Sequence, residues 1–228
     1  WVGLKYFKEF VTDYKFGKLV RNTVALSVLK LIFTFPLPIL FALMVNEIKN
    51  LKFKKLLQTC SYLPHFISWV IISSISYQFL SQSGIINTLL KNMHVIDKPI
   101  KFLTDASKFW GLAVSLDIWK EMGWWTIIFL AAIVGISQDY YEAAQIDGAT
   151  RLQRIFYITL PCIKSTIVVV LIMTMGNLFG GGLSGSNFEQ CYLLGNNVNA
   201  DTSTIIQTYV FDVGLAQGRY AYATAVGL

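Results

Sequence analysis

The residues with the most specific types and spacing in this chain lie between positions 137 and 161. Three residues separate Glu142-Ala143-Ala144 from Gly148, nine more precede Ile158, and Leu160-Pro161 follows after one further residue. These residue types favour docking rather than catalysis. Two alanines leave a thin helix that the groove of another protein can approach closely, and the Glu142 carboxylate can pair with a cation.

Local signals place this motif on a short helix that ends in a sharp turn. Asp139 is predicted to cap the helix, with Glu142 completing the reciprocal capping pattern three residues later. Gly148, directly after Asp147, is predicted to end the helix, because only glycine takes the left-handed backbone at no steric cost.

A second helix is expected directly after this turn. Thr150 and Gln153 form another capping pair. The residues that follow at helical spacing predict an apolar face of Leu152, Ile155, Phe156 and Thr159, with Arg151 and Arg154 turned away from it. Because proline tolerates a helix start but not a helix interior, Pro161 is predicted to open the next long helix.

A second group of candidate residues is charged and lies inside an apolar stretch. Lys120 and Glu121 follow Asp117 after three and four residues, so all three share one helical face. A charge at the centre of a membrane helix costs roughly 2.5–3.5 kcal/mol. With Trp119 and Trp124 they form either a hydrophilic path or an internal ion pair flanked by interfacial tryptophans, and the two interpretations are compatible.

The elements that must position these residues are membrane helices. Hydrophobic residues make up 54% and charged residues 14% of the 228 residues, whereas soluble domains carry roughly 25% charged residues. A hydrocarbon core of about 30 Å needs roughly 20 apolar residues as helix. The sequence predicts four full spans and the start of a fifth at Tyr220; the four are 23–45, 62–80, 109–136 and 160–183.

The pattern in residues 142–161 resembles that of the permease subunits of prokaryotic ABC importers of type I, and the match to its spacing is complete. Other stretches resemble the carbohydrate-uptake branch, and within it the LplB-type polysaccharide and oligosaccharide permeases. These stretches are Arg21-Asn22-Thr23, Tyr62 to Trp69, Asp147-Gly148-Ala149 and Tyr222 to Leu228.

The resemblance implies an all-α integral membrane protein, a polytopic helical bundle of the MetI-like and maltose-importer-like kind. Residues 1–228 would form a single transmembrane domain, with one further span before Trp1 and completion of the last span after Leu228. Residues 137–161 would be the cytoplasmic EAA coupling loop. Its coupling residues would be Glu142, Ala143, Ala144, Asp147, Gly148 and Pro161.

The resemblance also implies the assembly and the cargo. A second homologous permease subunit would complete the translocation path, two cytosolic ATPases would bind the coupling loops, and an extracytoplasmic solute-binding lipoprotein would deliver a carbohydrate. ATP and magnesium would bind the ATPases, and no cofactor would bind this chain. On the path interpretation, Trp119 and Trp124 would stack on sugar rings while Asp117 or Glu121 accepts hydrogen bonds from hydroxyl groups.

Charge alone does not orient the chain in the prokaryotic cell membrane. Four crossings place residues 46–61 and 137–159 on one face, and residues 1–22, 81–108 and 184–219 on the other. The second face carries more lysine and arginine, against the positive-inside rule. Only the dense lysines from Lys49 to Lys55 favour the first face as cytoplasmic, so the orientation is taken from the resemblance.

Other classes of function find less support in the sequence. It contains neither a G-x-x-x-x-G-K-[ST] phosphate loop nor an H-E-x-x-H metal motif, and its net charge of +6 suits lipid headgroups better than nucleic acid. Three alternatives remain open. They are a permease for an amino acid, peptide or other small solute, a non-transporting scaffold or sensor, and a membrane enzyme that uses Asp117, Lys120 and Glu121.

Overall fold

The computed structural model describes residues 2–228, and the regular structure in this range is helical. The α-helices are α1 Lys5–Thr12, α2 Phe16–Thr34, α3 Pro36–Asn46, α4 Leu51–Tyr62, α5 Trp69–Leu80, α6 Ile85–Asn92, α7 Phe109–Val134, α8 Gln138–Ile146, α9 Arg151–Arg154, α10 Leu160–Cys162, α11 Lys164–Gly176, α12 Asn187–Leu194, α13 Ala200–Ser203, α14 Ile206–Phe211 and α15 Tyr220–Gly227. Short 3₁₀ turns cover Leu63–Phe66, Ala106–Lys108 and Leu178–Gly180, and π turns cover Ile155–Thr159 and Asp212–Ala216.

One helical segment within residues 2–228 is long and apolar enough to cross a membrane without a sharp bend. It is the 31-residue run Phe16–Asn46, formed by α2 and α3. Although Pro36 and Pro38 lie inside this segment, the α-helix is interrupted only at Phe35. Pro36 is the first residue of α3, a position where a missing amide hydrogen does little harm.

Three further crossings arise if each of three sharply bent helix pairs counts as one span. The bends are 102° between Leu51–Phe66 and Trp69–Asn92, 69° between Ala106–Val134 and Gln138–Ile146, and 61° between Arg151–Cys162 and Lys164–Gly176. The described part of the chain therefore holds between one and four spans by length and composition.

Two of the four expected spans are interrupted in the structure. The stretch 62–80 is not one rod, because Ile67 and Ser68 are extended and α5 begins only at Trp69, with the Ser68 hydroxyl accepting a hydrogen bond from the Ile71 amide. The stretch 160–183 begins with the three-residue α10, and its long helix α11 ends at Gly176.

The long helix α7 is the centre of the bundle. Its buried side chains pack with α3 and α11 through Phe129 and Ile133, and with α2 and α12 through Phe109 and Ala113. At Gly123 the backbone of α4 approaches so closely that a Cβ atom would lie 2.0 Å from the Ser61 carbonyl oxygen. Glycine is therefore needed at this crossing.

Candidate functional site: the 137–161 loop and the intramembrane charges

Helix α8 begins two residues earlier than expected. Ser137 is its N-cap residue, and the Ser137 hydroxyl accepts a hydrogen bond from the Asp139 amide at 3.3 Å. Asp139 is not the cap, as the sequence analysis predicted, but lies in the first turn, where its carboxylate favours the positive end of the helix. The Ser137 hydroxyl also donates to the Asp139 carboxylate at 3.0 Å.

The turn after α8 has the geometry predicted for Gly148, whose φ is +75°. The Gly148 amide donates to the Gln145 carbonyl at 3.1 Å, and the Ala149 amide donates to the Ala144 carbonyl at 2.8 Å. These two bonds form a Schellman motif, which satisfies carbonyls that the end of a helix would otherwise leave free. The expected capping pair of Thr150 and Gln153 is also formed, with reciprocal bonds of 3.4 and 2.7 Å.

The surface of this loop is open. Glu142, Ala143, Asp147 and Gly148 are exposed and Ala144 is half-buried. Beside them lies a pocket of about 350 Å³, lined by the turn 147–149 and by Ala144, Gln153, Arg154, Tyr157 and Ile158. A thin helix and a shallow pocket next to the exposed carboxylates of Glu142 and Asp147 can receive a protruding cationic side chain of another protein.

The segment after the turn departs from the expected amphipathic helix. Ile155 is half-buried and Thr159 is buried, as expected. Leu152, however, is 67% exposed, and Phe156 is 61% exposed. The reason is that α9 is only four residues long and continues as a π turn, Ile155–Thr159, which shifts the helical face. Together with Ile146, these side chains add an apolar, uncovered surface to the loop.

The loop is tied to the membrane helices at its base. The Tyr141 hydroxyl lies 2.9 Å from the Thr159 hydroxyl, so α8 is linked to the segment that leads into α11. Pro161 lies within the short α10 and does not open the long helix, which begins at Lys164 after a bend at Ile163. Because proline has no backbone N–H to donate, Pro161 nevertheless disfavours one straight helix running from α9 into α11.

Asp117 is fully buried and forms an ion pair that sequence reasoning missed. Its carboxylate lies 3.4 Å from the Lys30 ammonium on α2, and it accepts a hydrogen bond from the Ser186 hydroxyl at 2.7 Å. The same ammonium donates to Ser186 at 2.8 Å. The available signal was Lys30 itself, an isolated charge in an apolar segment, but its partner is 87 residues away.

Lys120 and Glu121 belong to a second buried group, centred on the 3₁₀ turn before the 102° bend. Their charged atoms lie 3.1 Å apart. The Lys120 ammonium donates to the His65 carbonyl at 2.5 Å, and Glu121 Oε2 lies 2.8 Å from His65 Nδ1. The His65 ring stacks on Trp124 at 4.3 Å with parallel planes. These hydrogen bonds and this stacking contact hold the bend against α7.

The five candidate path residues are therefore not one cluster. Asp117 faces α2, whereas the bend is contacted by Lys120, Glu121 and Trp124. Trp119 is 49% exposed on the outside of α7. In this conformation the Asp117 carboxylate is closed off from any ligand. One of its oxygens, Oδ2, is buried without a hydrogen-bond partner among the described residues, as are Asn187 Oδ1 and Gln190 Oε1. These acceptors keep a hydrogen-bonding capacity that no described residue uses.

The fold and the exposed loop together define an ABC importer permease. Over residues 18–226 the chain matches the family described as binding-protein-dependent transport system inner membrane component. The chain belongs to this family.

Among individual proteins, the chain is similar to two from Bacillus subtilis (strain 168). It is 45% identical to Protein LplB over 229 aligned residues, which cover all of this chain and 70% of that protein. It is also 45% identical to the polygalacturonan/rhamnogalacturonan transport system permease protein YteP, covering all of this chain and 69% of YteP.

Two solved structures of ABC transporters have the same fold as this chain. A chain of a bacterial ABC transporter involved in the import of the acidic polysaccharide alginate superposes with a TM-score of 0.94 at 42% identity, covering 100% of this chain and 77% of that chain. A second structure of a bacterial alginate transporter, in complex with an alginate pentasaccharide-bound periplasmic protein, superposes with a TM-score of 0.93, also at 42% identity, and covers 99% of this chain and 76% of that chain.

Proposed function

We propose that this chain is the membrane-spanning permease subunit of an ATP-driven importer whose cargo is an oligosaccharide, with uronate-containing oligosaccharides as the preferred class. The observation that carries the proposal is 42–45% identity over the whole chain to proteins named for polygalacturonan/rhamnogalacturonan and for the acidic polysaccharide alginate. The fold class and the helical membrane family agree with this assignment.

The coupling role is assigned to the 137–161 loop. The exposed Glu142 carboxylate pairs with a basic residue of the ATPase, and Ala143 and Ala144 let the helix seat closely. Gly148 permits the turn that returns the chain to the membrane. Force then passes from α8 through the Tyr141–Thr159 contact to the segment around Pro161 and into α11.

The assembly that this role needs contains a second homologous permease subunit, two cytosolic ABC ATPases and an extracytoplasmic solute-binding lipoprotein. The ATPases, and not this chain, would bind ATP and magnesium and hydrolyse ATP. The chain would lie in a prokaryotic cell membrane as a multi-pass protein. Closure of the ATPases around ATP would move both coupling helices together and turn an inward-facing path outward.

The cargo path is assigned to the buried charges of α7, which lie in two separate groups. Glu121 and Trp124 are near the bend and are the residues of these groups that a small helix movement would uncover first, since His65 beside them is partly exposed. Trp124 would then offer a flat face to a sugar ring, and Glu121 would accept hydrogen bonds from hydroxyl groups. Asp117, locked against Lys30, would contribute only after a larger opening.

Uptake into proteoliposomes tests the proposal. The complete importer, with its binding protein outside and ATP inside, should take up oligogalacturonate or oligoalginate and leave a neutral maltooligosaccharide of the same length outside. Uptake of amino acids or peptides instead of sugars would assign a different cargo. An assembly that hydrolyses ATP without moving any solute would indicate a sensor, and ATP-independent conversion of the sugar by the isolated chain would indicate an enzyme.

A further inference from the structure

The outer face of α4 combines an exposed apolar stripe with an unpaired group of cations at one end. Phe53, Leu56 and Leu63 lie at helical spacing and are each more than half exposed. Three exposed lysines stand at or just before the start of the helix; they are Lys49, Lys52 and Lys55, whereas Lys54 is half-buried on the side of Ser61. We refer to the three apolar residues and these three lysines as the α4 outer face.

The lysines of this face have no acidic partner. None of them forms an ion pair with any residue between 2 and 228, and the sequence from Ile48 to Phe66 contains neither aspartate nor glutamate. The start of the helix is already capped, because the Asn50 side chain accepts hydrogen bonds from the amides of Lys52 and Phe53 at 3.0 and 3.2 Å. The positive charge of the face is therefore available to an external anion.

The place of the face in the fold indicates its depth in the membrane. The 31-residue segment that is long and apolar enough to cross a membrane ends at Asn46, three residues before Lys49. From there α4 runs inward, since its inner side packs on α7 where Ser61 meets Gly123. The lysines accordingly lie at the headgroup level, and the apolar stripe extends toward the hydrocarbon core.

An anionic phospholipid is complementary to this face, because it has a negative headgroup at one end and apolar acyl chains at the other. We propose that the α4 outer face is a binding site for an anionic phospholipid of the leaflet that faces the coupling loop. Its phosphate would lie among the lysine ammonium groups, and its acyl chains would lie along Phe53, Leu56 and Leu63. Lysine near a charged surface typically strengthens such binding about fivefold per residue, and long lysine side chains reach the headgroups readily.

Titration of the complete importer with phosphatidylglycerol, read by native mass spectrometry of the retained lipid, tests the site. The variant Lys49→Gln, Lys52→Gln, Lys55→Gln should raise the dissociation constant for phosphatidylglycerol tenfold or more and leave that for phosphatidylcholine unchanged. The matched control changes three exposed lysines of the segment between α5 and α7, as Lys91→Gln, Lys98→Gln, Lys101→Gln. An equal loss in the control, or no loss in the α4 variant, would overturn the proposal.

A photoreactive residue in place of Leu56 decides what covers the face. In the otherwise native chain, irradiation in membranes that contain phosphatidylglycerol should yield lipid adducts. Adducts with the second permease subunit or with the ATPase would show that a protein occupies the face, and the lipid site would be rejected. This arm remains decisive if the triple lysine variant fails to assemble.

Discussion

Replacing Gly148 by alanine is expected to weaken the coupling of ATP hydrolysis to transport without preventing assembly. Gly148 has a φ of +75°, and a Cβ atom built on it meets nothing within 4 Å. The substitution therefore introduces no clash, and its whole effect comes from the backbone conformation. Alanine in the left-handed region costs about 1–2 kcal/mol.

The free-energy cost of the left-handed alanine determines how much the population of the formed turn should fall. About 1–2 kcal/mol changes the ratio of formed to unformed turn by a factor of about 5–30. Because the Schellman bonds from Gly148 to Gln145 and from Ala149 to Ala144 depend on this turn, the end of α8 should fray. Gly148→Asn should be milder, since asparagine tolerates the left-handed conformation better.

The assay measures sugar transported per ATP hydrolysed by the reconstituted importer. The variant should insert and assemble like the wild type, while its transport-to-hydrolysis ratio falls severalfold. Gly218→Ala is the matched control, since Gly218 has a φ of +69° and an equally open environment but lies outside the 137–161 loop. A normal ratio in Gly148→Ala, or the same loss in Gly218→Ala, would refute the reasoning.

Three further predictions concern the transmembrane bundle and its rim. Gly123→Ala should lower the melting temperature of the purified chain, because overpacking against the Ser61 backbone costs about 1–3 kcal/mol. Lys30→Met alone should destabilise by about 3–5 kcal/mol in chemical unfolding, since it leaves the buried Asp117 carboxylate unpaired, and Lys30→Met with Asp117→Leu should recover most of that loss. Hydrogen bonds from neighbouring side chains lower the pKa of Asp105 to about 2. The contribution of Asp105 to stability is therefore present above the ordinary pKa near 3.8 and is lost as the pH falls through 2. Side-chain carboxyl NMR should show this titration.

Controls separate these effects from general damage. Gly111 lies on the same helix as Gly123 and has nothing within 4 Å of a built Cβ, so Gly111→Ala should leave the melting temperature unchanged or raise it. If Gly111→Ala and Gly123→Ala behave alike, the close crossing with α4 is not the cause. If the double change of Lys30 and Asp117 is as unstable as the single one, the ion pair is not the source of the loss.

Features set by neighbouring residues could be predicted from the sequence. The left-handed turn at Gly148 and the capping pair of Thr150 and Gln153 depend on residues within a few positions, and both are present. The N-cap of α8 was assigned to Asp139 instead of Ser137 because both residue types cap helices and the reciprocal partner favoured the wrong one.

Features set by distant residues could not be predicted. The bend at Ile67 and Ser68 lies in a mostly apolar stretch, and its local break signals, Pro64 and the N-cap residue Ser68, do not set the 102° angle. The bend is held by contacts of His65 with Glu121, 56 residues away. The pairing of Lys30 with Asp117 likewise needs the packing of α2 on α7, which hydrophobic periodicity alone does not specify.

Site-directed crosslinking tests the coupling role of α8 most directly. A cysteine at Ala143, in a chain whose native Cys60, Cys162 and Cys191 are changed to serine, should crosslink to the ATPase in the assembled importer and inhibit transport. The structure supports this design because Ala143 is exposed. Crosslinking of that cysteine to an extracytoplasmic protein, or the absence of any crosslink to the ATPase in an active importer, would contradict the account.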